Sequence, residues 1–263
     1  MHGALRQQIR IFWQLVKKEL WLIRKGFFDK FIDGIIIVAI QVLVFSHLLP
    51  LIGMPKALIA PTFIGSIIQL FFSMGYGLSL RVVFDLQFAR FIDYYLTLPL
   101  GKAWVFAVYI AQFVAEVAIT TIPLVSLGII AMGKNFIMVT PSVPLFIIAY
   151  LLSLILIATL FLSFSFMYSF RWFFDNLWPR RLSPLFLCSS ALFPWKKVYA
   201  LSHTLGVLFL CNPLTYVAEA LRGTLIGGPD FLSPLVTIPA ILCFCVIVLF
   251  ICNKGITRRL DPV

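Results

Sequence analysis

Long apolar blocks constrain this chain more than anything else in it. Residues 31–50, 58–80, 103–131, 144–167 and 231–252 each run for about 20 positions or more with almost no charge. About 20 apolar residues in a helix cross the roughly 30 Å hydrocarbon core of a bilayer. Backbone in that core must satisfy its own hydrogen bonds, so helices are the economical solution. A further block, 182–195, covers only about 21 Å as helix. A crossing drawn there, at 177–195, must recruit residues before Arg180 or stay incomplete and shielded by protein. The expected fold class is therefore an all-α integral membrane protein, one transmembrane domain over 1–263 with six helices.

Composition agrees. The chain is 62% hydrophobic and 12% charged, against about half and about a quarter in soluble domains. The net charge of +11 would suggest nucleic acid in a soluble protein, but no basic soluble module is present to bind it. In a polytopic protein, Lys and Arg collect on the cytoplasmic side. With the N-terminus inside, that side holds Arg6, Arg10, Lys17, Lys18, Arg24, Lys25 and Lys30 before the first span. It also holds Arg81, Arg90 and Lys102 after the second, Arg171, Arg180 and Arg181 after the fourth, and Lys254, Arg258 and Arg259 after the last. Only Lys56, Lys134, Lys196, Lys197 and Arg222 remain outside. Both termini are thus expected in the cytoplasm, in a multi-pass protein of the cell (inner) membrane.

Residues 1–30 lack the short apolar core and small-residue cleavage site of a secretory signal. Leu5, Ile9, Phe12, Val16, Leu20, Ile23 and Phe27 recur at steps of three or four, with basic residues around the rest of the circumference. That pattern predicts an amphipathic helix in the membrane interface, with Trp13 and Trp21 at headgroup level. In the second span, Gly65, Ser66, Ser73, Gly75 and Gly77 offer a small-residue face for close helix contact.

Residues 81–102 (RVVFDLQFARFIDYYLTLPLGK) are too apolar for a solvated linker. They predict a short amphipathic helix with Phe84, Phe88, Phe91 or Ile92, and Tyr95 on one face. Asp85, Arg90 and Asp93 lie on the other, and Pro99 ends the helix. Such a helix suits either a soluble partner or the headgroup layer. In residues 211–228, Asn212 can cap a helix that starts at Pro213. Glu219 and Arg222 are neighbours on one face of it, and Gly227–Gly228 permits a chain reversal. A short, polar-patched helix dipping into the outer leaflet is expected. Glu116 is the one acid well inside a span. It is either a substrate or gating contact or a packing hydrogen bond. Trp172, Phe173, Phe174 and Trp178 suit an aromatic belt.

Cys188, Cys211, Cys243, Cys245 and Cys252 include no CxxC pair and read as small apolar residues of spans. Cys188 and Cys211 fall on the outer side, where a disulfide is open to them. No metal site is expected.

The segment Asn212-Pro213-x-x-Tyr216-x-x-Glu219-Ala220-x-Arg222 resembles the signature of the ABC-2 type transporter permease family. The similarity extends in order along the chain: the basic N-terminal helix, Leu98-Pro99 after the second span, Phe174-Asp175-Asn176 before a short fifth span, and Leu192-Phe193-Pro194 after it. The chain departs from the family at Pro179-Arg180-Arg181, where apolar residues are more usual. The resemblance implies an exporter permease that dimerises, normally with a second copy, and couples to a separate ATP-binding subunit. The 81–102 segment (Phe84, Phe88, Arg90, Asp93, Leu98, Pro99) would be the coupling helix and, with the N-terminal helix, would form the docking surface for that subunit. Helices in 196–228, with Asn212, Pro213, Tyr216, Glu219 and Arg222, would be the outer gate. Substrates would be a lipid-linked glycan, a lipid or an amphipathic drug.

The residues themselves fit a division of labour. There is no GxxxxGK[ST] loop, since Gly101-Lys102 precedes Ala103 and Leu96 stands in place of the first glycine. The chain is not expected to be an enzyme or to hold a cofactor, ATP and Mg belonging to the partner. Two other classes are open. One is an ion-coupled secondary transporter using Glu116, although no inverted repeat is apparent. The other is a polytopic membrane enzyme acting on lipid with His47, His203 and Glu219 at the outer face.

Overall fold

The structure is a computed structural model and describes residues 2–53, 55–133 and 138–260. The expectation on Lys134 lies outside them, as do those on the side chains of Leu5, Lys30, Lys56, Arg258 and Arg259. The chain is 86% helical, with no strand among the described residues.

Helix α1 is His2–Lys25. After a break at Gly26, α2 (Phe27–Val42) continues through a wide turn at Leu43–Leu48 to Leu51. Next come α3 (Lys56–Phe84, extended by a wide turn at Asp85–Ala89), α4 (Phe91–Thr97), α5 (Lys102–Met132) and α6 (Val143–Met167). Helix α7 starts at Phe170 and runs through a wide turn at Trp178–Leu182 to Leu187. Three short helices follow, α8 (Trp195–Leu201), α9 (His203–Leu210) and α10 (Pro213–Leu225), and then α11 (Pro234–Leu260). Among the described residues, five stretches are long and apolar enough to cross a membrane: Phe27–Leu51, Ala57–Ala89, Lys102–Ile130, Val143–Met167 and Pro234–Ile256. A sixth is added if α9 and α10, bent by 95°, are taken as one. This is a multi-pass membrane protein.

The core lies where α3, α5, α6, α7, α10 and α11 meet, around Phe63, Phe71, Phe113, Leu154, Phe161, Phe173, Val217 and Ile241. Lipid tails are as apolar as these side chains, so shape and internal hydrogen bonds hold the helices together. Ser79 donates to the Phe161 carbonyl at 2.6 Å, Ser165 reaches Ser79 Oγ at 3.1 Å, and Thr121 meets Tyr150 at 2.6 Å. Interhelical bonds of this kind contribute about 0.6 kcal/mol each.

The small-residue face expected on α3 divides in two. Gly65 and Gly75 point into the bundle. A Cβ at Gly75 would come within 2.3 Å of the Phe161 ring, and one at Gly65 within 2.0 Å of the Ala191 carbonyl oxygen. Ser66, Ser73 and Gly77 lie on the opposite, open side. The cause is helical geometry: residues 65 and 66 differ by about 100° around the axis.

The region drawn at 177–195 is also different. Its helix begins at Phe170 and ends at Leu187, so Arg180 and Arg181 belong to a helical turn rather than to a loop. Beyond Leu187 the chain turns without helix as far as Pro194. The whole segment climbs α3. Phe170 and Phe174 pack on Phe84, Phe173 and Trp178 on Tyr76, and Phe186 on Phe72. Ala191 then reaches Gly65, and Leu192–Val198 face Leu58 and Thr62. That is about 39 Å of α3.

Helices α9 and α10 enter and leave at the end of the bundle opposite α1. Trp195 Nε1 donates to the Gly206 carbonyl at 2.8 Å, and the Ile226 carbonyl accepts from Val139 and Thr140. Gly227 and Gly228, with φ of +72° and +99°, make the reversal into α11. Helix α11 then returns to the α1 end, where Gly255 lies beside Phe166 and Met167.

Candidate functional site

Three parts of the molecule carry polar chemistry, and they lie along α3. At the end opposite α1, the helix cap expected at Asn212 is formed. Its Oδ1 accepts from Leu214 N–H at 2.9 Å, with Pro213 in the first turn, while its Nδ2 donates to the Leu185 carbonyl at 2.6 Å. One side chain therefore starts α10 and ties it to α7. Tyr216 packs on Phe244 of α11, with ring centres 5.6 Å apart.

Glu219 and Arg222 do not make the polar patch expected of them. Both are fully buried. Arg222 donates from Nε to the Pro61 carbonyl at 3.0 Å, and from Nη1 and Nη2 to the carbonyls of Ser190 and Ala191. It also faces Phe193 O and Glu219 Oε1, each at 3.5 Å. Glu219 accepts Trp195 N–H at 2.9 Å and Leu232 N–H at 3.0 Å. The non-helical turn at 188–194 leaves carbonyls without helical partners, and a planar guanidinium with five donors suits them. The carboxylate offsets the buried cation and holds the entries to α8 and α11. This pair is a latch closing α3, α7, α8, α10 and α11 together.

The second part is a stripe on the open side of α3. Thr62, Ser66, Gln69, Ser73 and Gly77 recur at three or four residues and stay half-buried or exposed, while the intervening positions are mostly buried. Ser66 bonds Gln41 of α2 at 3.0 Å. Gln69 and Ser73 open onto a cavity of about 290 Å³ lined also by Phe72, Trp178, Leu182, Ser183 and Phe186. The sequence reading saw the small residues of this helix but missed Gln69. The signal available was the polar repeat at helical spacing.

The third part is the α1 end. The continuous face expected over Phe84–Tyr95 does not form, because the helix stops at Arg90, which adopts φ of +53°. Ile92 and Tyr95 are buried, whereas Phe84, Phe88 and Phe91 are exposed. Phe84 and Phe88 stack on each other, and both meet Phe170 edge to face. Asp85, expected on the face opposite the rings, is buried, and its carboxylate accepts the N–H groups of Phe91 and Ile92, both at 2.9 Å. It caps α4 across the break. Arg90 and Asp93 are exposed, Leu98 is half-buried and Pro99 is exposed. Leu98 is extended, as the residue before proline prefers.

Glu116 Oε2 meets Arg81 Nη2 at 2.7 Å. Next to Arg81, a cavity of about 330 Å³ is lined by Lys18, Glu19, Asp85, Tyr95 and Gln112. Helix α5 is about 46 Å long and Glu116 lies about 21 Å from its start, so the carboxylate sits near the middle of α5, inside the span. The sequence missed Arg81 and Lys18 as partners because they are distant along the chain.

All five cysteines are free, so Cys188 and Cys211 form no disulfide. His203 rests on Tyr199, and among the described residues no group of His, Cys, Asp and Glu could hold a metal ion.

Comparison with family models, with curated proteins and with solved structures gave no match.

Proposed function

We propose that this chain is the membrane subunit of an ABC-type exporter, paired with a second copy and driven by a separate ATP-binding subunit. The observation that carries this reading is the polar stripe on α3. Amide and hydroxyl groups facing lipid at bilayer depth are costly, whereas the same groups lining a water-filled or protein-lined passage are satisfied. Gln69 and Ser73 are exposed in one copy, with Thr62 and Ser66 half-buried beside them, so a second copy would enclose the stripe and complete a path.

In this reading α7 with its non-helical turn at 188–194 is the fifth of six crossings, since it climbs about 39 Å of α3. Helices α9 and α10 re-enter from the outer side, and α8–α10 form the outer gate held by Glu219 and Arg222. Both termini are cytoplasmic, in the inner membrane, as the Lys and Arg distribution implies. Phe84, Phe88, Arg90, Asp93 and Leu98-Pro99 then face the motor subunit. The passage suits an amphipathic cargo: a lipid, a lipid-linked glycan or a drug. An open apolar groove of about 480 Å³ at the outer end, lined by Leu58, Leu192, Phe193, Val198 and Leu201, would accept its tail. Glu116 is already engaged by Arg81, which weakens the ion-coupled alternative.

The test is recovery of the tagged chain from native membranes in mild detergent. ATPase activity should co-purify and fall several-fold with Phe88→Ala plus Asp93→Asn. Gln69→Leu plus Ser73→Leu should keep the partner but abolish export from vesicles. Recovery without any ATPase, or transport driven by a pH gradient without nucleotide, would overturn the proposal.

A further inference from the structure

Helix α1 has two faces with different duties. Its inward face carries Ile11, Phe12, Leu15, Val16 and Ile23, of which Val16 and Ile23 are buried. Phe12 packs on Trp104 with ring centres 5.2 Å apart. Ile11 and Leu15 join a small cluster around Tyr95, Leu100 and Val105 that is separate from the main core. The α1–α4 contact is polar as well. Lys18 Nζ donates to Tyr95 OH at 2.6 Å, and Tyr95 OH donates to Glu19 Oε1 at 3.3 Å. Glu19, the only acid of α1, is thus turned inward. Helix α4 is held by the start of α5 and by the Asp85 cap, and α1 reaches it through Tyr95.

The outward face reads Arg6, Arg10, Trp13, Lys17, Trp21, Arg24 at steps of three or four, all exposed. Cations and indoles alternate along one line, and Lys25 lies over the Trp21 ring at 3.8 Å. No carboxylate shares that line. Indoles favour the headgroup level of a bilayer, and basic residues beside them attract anionic lipid, each contributing about 1 kcal/mol near a charged surface. A protein partner would be expected to meet exposed carboxylates or a continuous apolar strip on this line, and it shows neither.

We propose that the outward face of α1 binds anionic phospholipid headgroups of the bilayer, and that this binding sets the position of α4 through the Lys18–Tyr95–Glu19 contact. The occupant is the lipid surface. When α1 settles on it, the two hydrogen bonds at Tyr95 carry α4 along. This goes beyond the exporter reading and does not depend on it, because it concerns only lipid and this chain.

The experiment uses the full chain in nanodiscs of neutral phosphatidylcholine and of the same lipid with about a third phosphatidylglycerol. Amide hydrogen exchange is followed in 2–25 and 91–97. The anionic discs should slow exchange several-fold in both segments, and high salt should reverse the difference. Arg6→Gln with Arg10→Gln, Lys17→Gln and Arg24→Gln should remove the lipid dependence of both. Tyr95→Phe should keep it in 2–25 and lose it in 91–97. Equal exchange in the two lipids, or a difference that survives high salt, overturns lipid binding. Retention of the lipid response in 91–97 by Tyr95→Phe overturns the link to α4. The salt series reads the wild-type chain, so the proposal is tested even if the fourfold variant does not assemble.

Discussion

The two ends of this bundle handle charge in opposite ways. At the end opposite α1, Glu219 and Arg222 are sealed from solvent, and their hydrogen-bonding capacity is spent on backbone groups of four other segments. At the α1 end, Arg90 and Asp93 stand exposed beside the bare rings of Phe84, Phe88 and Phe91. Charge used inwardly fixes a shape, because a buried ion that loses its partner is destabilising. Charge left outward fixes nothing in the chain itself and is available to something else. The difference separates a latch from an exposed surface, the one that the proposed motor subunit would use.

Substitutions can break or sharpen that contrast. Arg222→Met should have the largest effect, about 3–5 kcal/mol of destabilisation, seen as loss of the cooperative melting transition in detergent. A melting temperature close to wild type would mean that the pair is no latch. Gly65→Val comes next. The added carbons must push Ala191 away from α3, at about 1–3 kcal/mol, read in the same assay. Asp85→Ala removes the cap of α4 and should cost about 0.5–2 kcal/mol, with faster amide exchange confined mainly to 91–97.

Phe88→Ala and Asp93→Asn should change stability by less than about 0.5 kcal/mol. A large drop in melting temperature from either would make the α1 end as structural as its opposite. The smallest effect concerns pH. Burial disfavours the Lys18 ammonium, but the hydrogen bond and charge of Tyr95 and Glu19 outweigh it and raise its pKa above the ordinary 10.5. Its contribution is complete below the ordinary value and is lost only as pH rises through the higher one. Once intrinsic base catalysis is corrected for, exchange in 91–97 should therefore stay level from about pH 6 to 9.

Much of this was open to reading in the sequence, and the parts that were not share a cause. Apolar runs located the long helices within a few residues, and Asn212-Pro213 marked the start of α10. The i,i+3 spacing also brought Glu219 to Arg222. It gave no hint that Arg222 would reach Pro61, 161 positions away, or that the turn at 188–194 would supply carbonyls to it. The 81–102 segment looked like one amphipathic face because its periodicity is continuous. The break at Arg90 is set by Asp85 folding back onto the N–H groups of Phe91 and Ile92, and a periodicity argument cannot see a side chain capping across a turn.

By itself the sequence determined that the chain is helical and lives in a bilayer, since hydropathy in long runs leaves the backbone no other way to satisfy its hydrogen bonds. It also determined which residue types fall near the helix ends. Only the tertiary structure decided which charges are spent and which are free. It turned Glu19 inward, gave Glu116 to Arg81 and buried Glu219 with Arg222. It also left Gln69 and Ser73 exposed on α3. Those outcomes depend on distances between segments far apart in the chain, and no local pattern of residues encodes them.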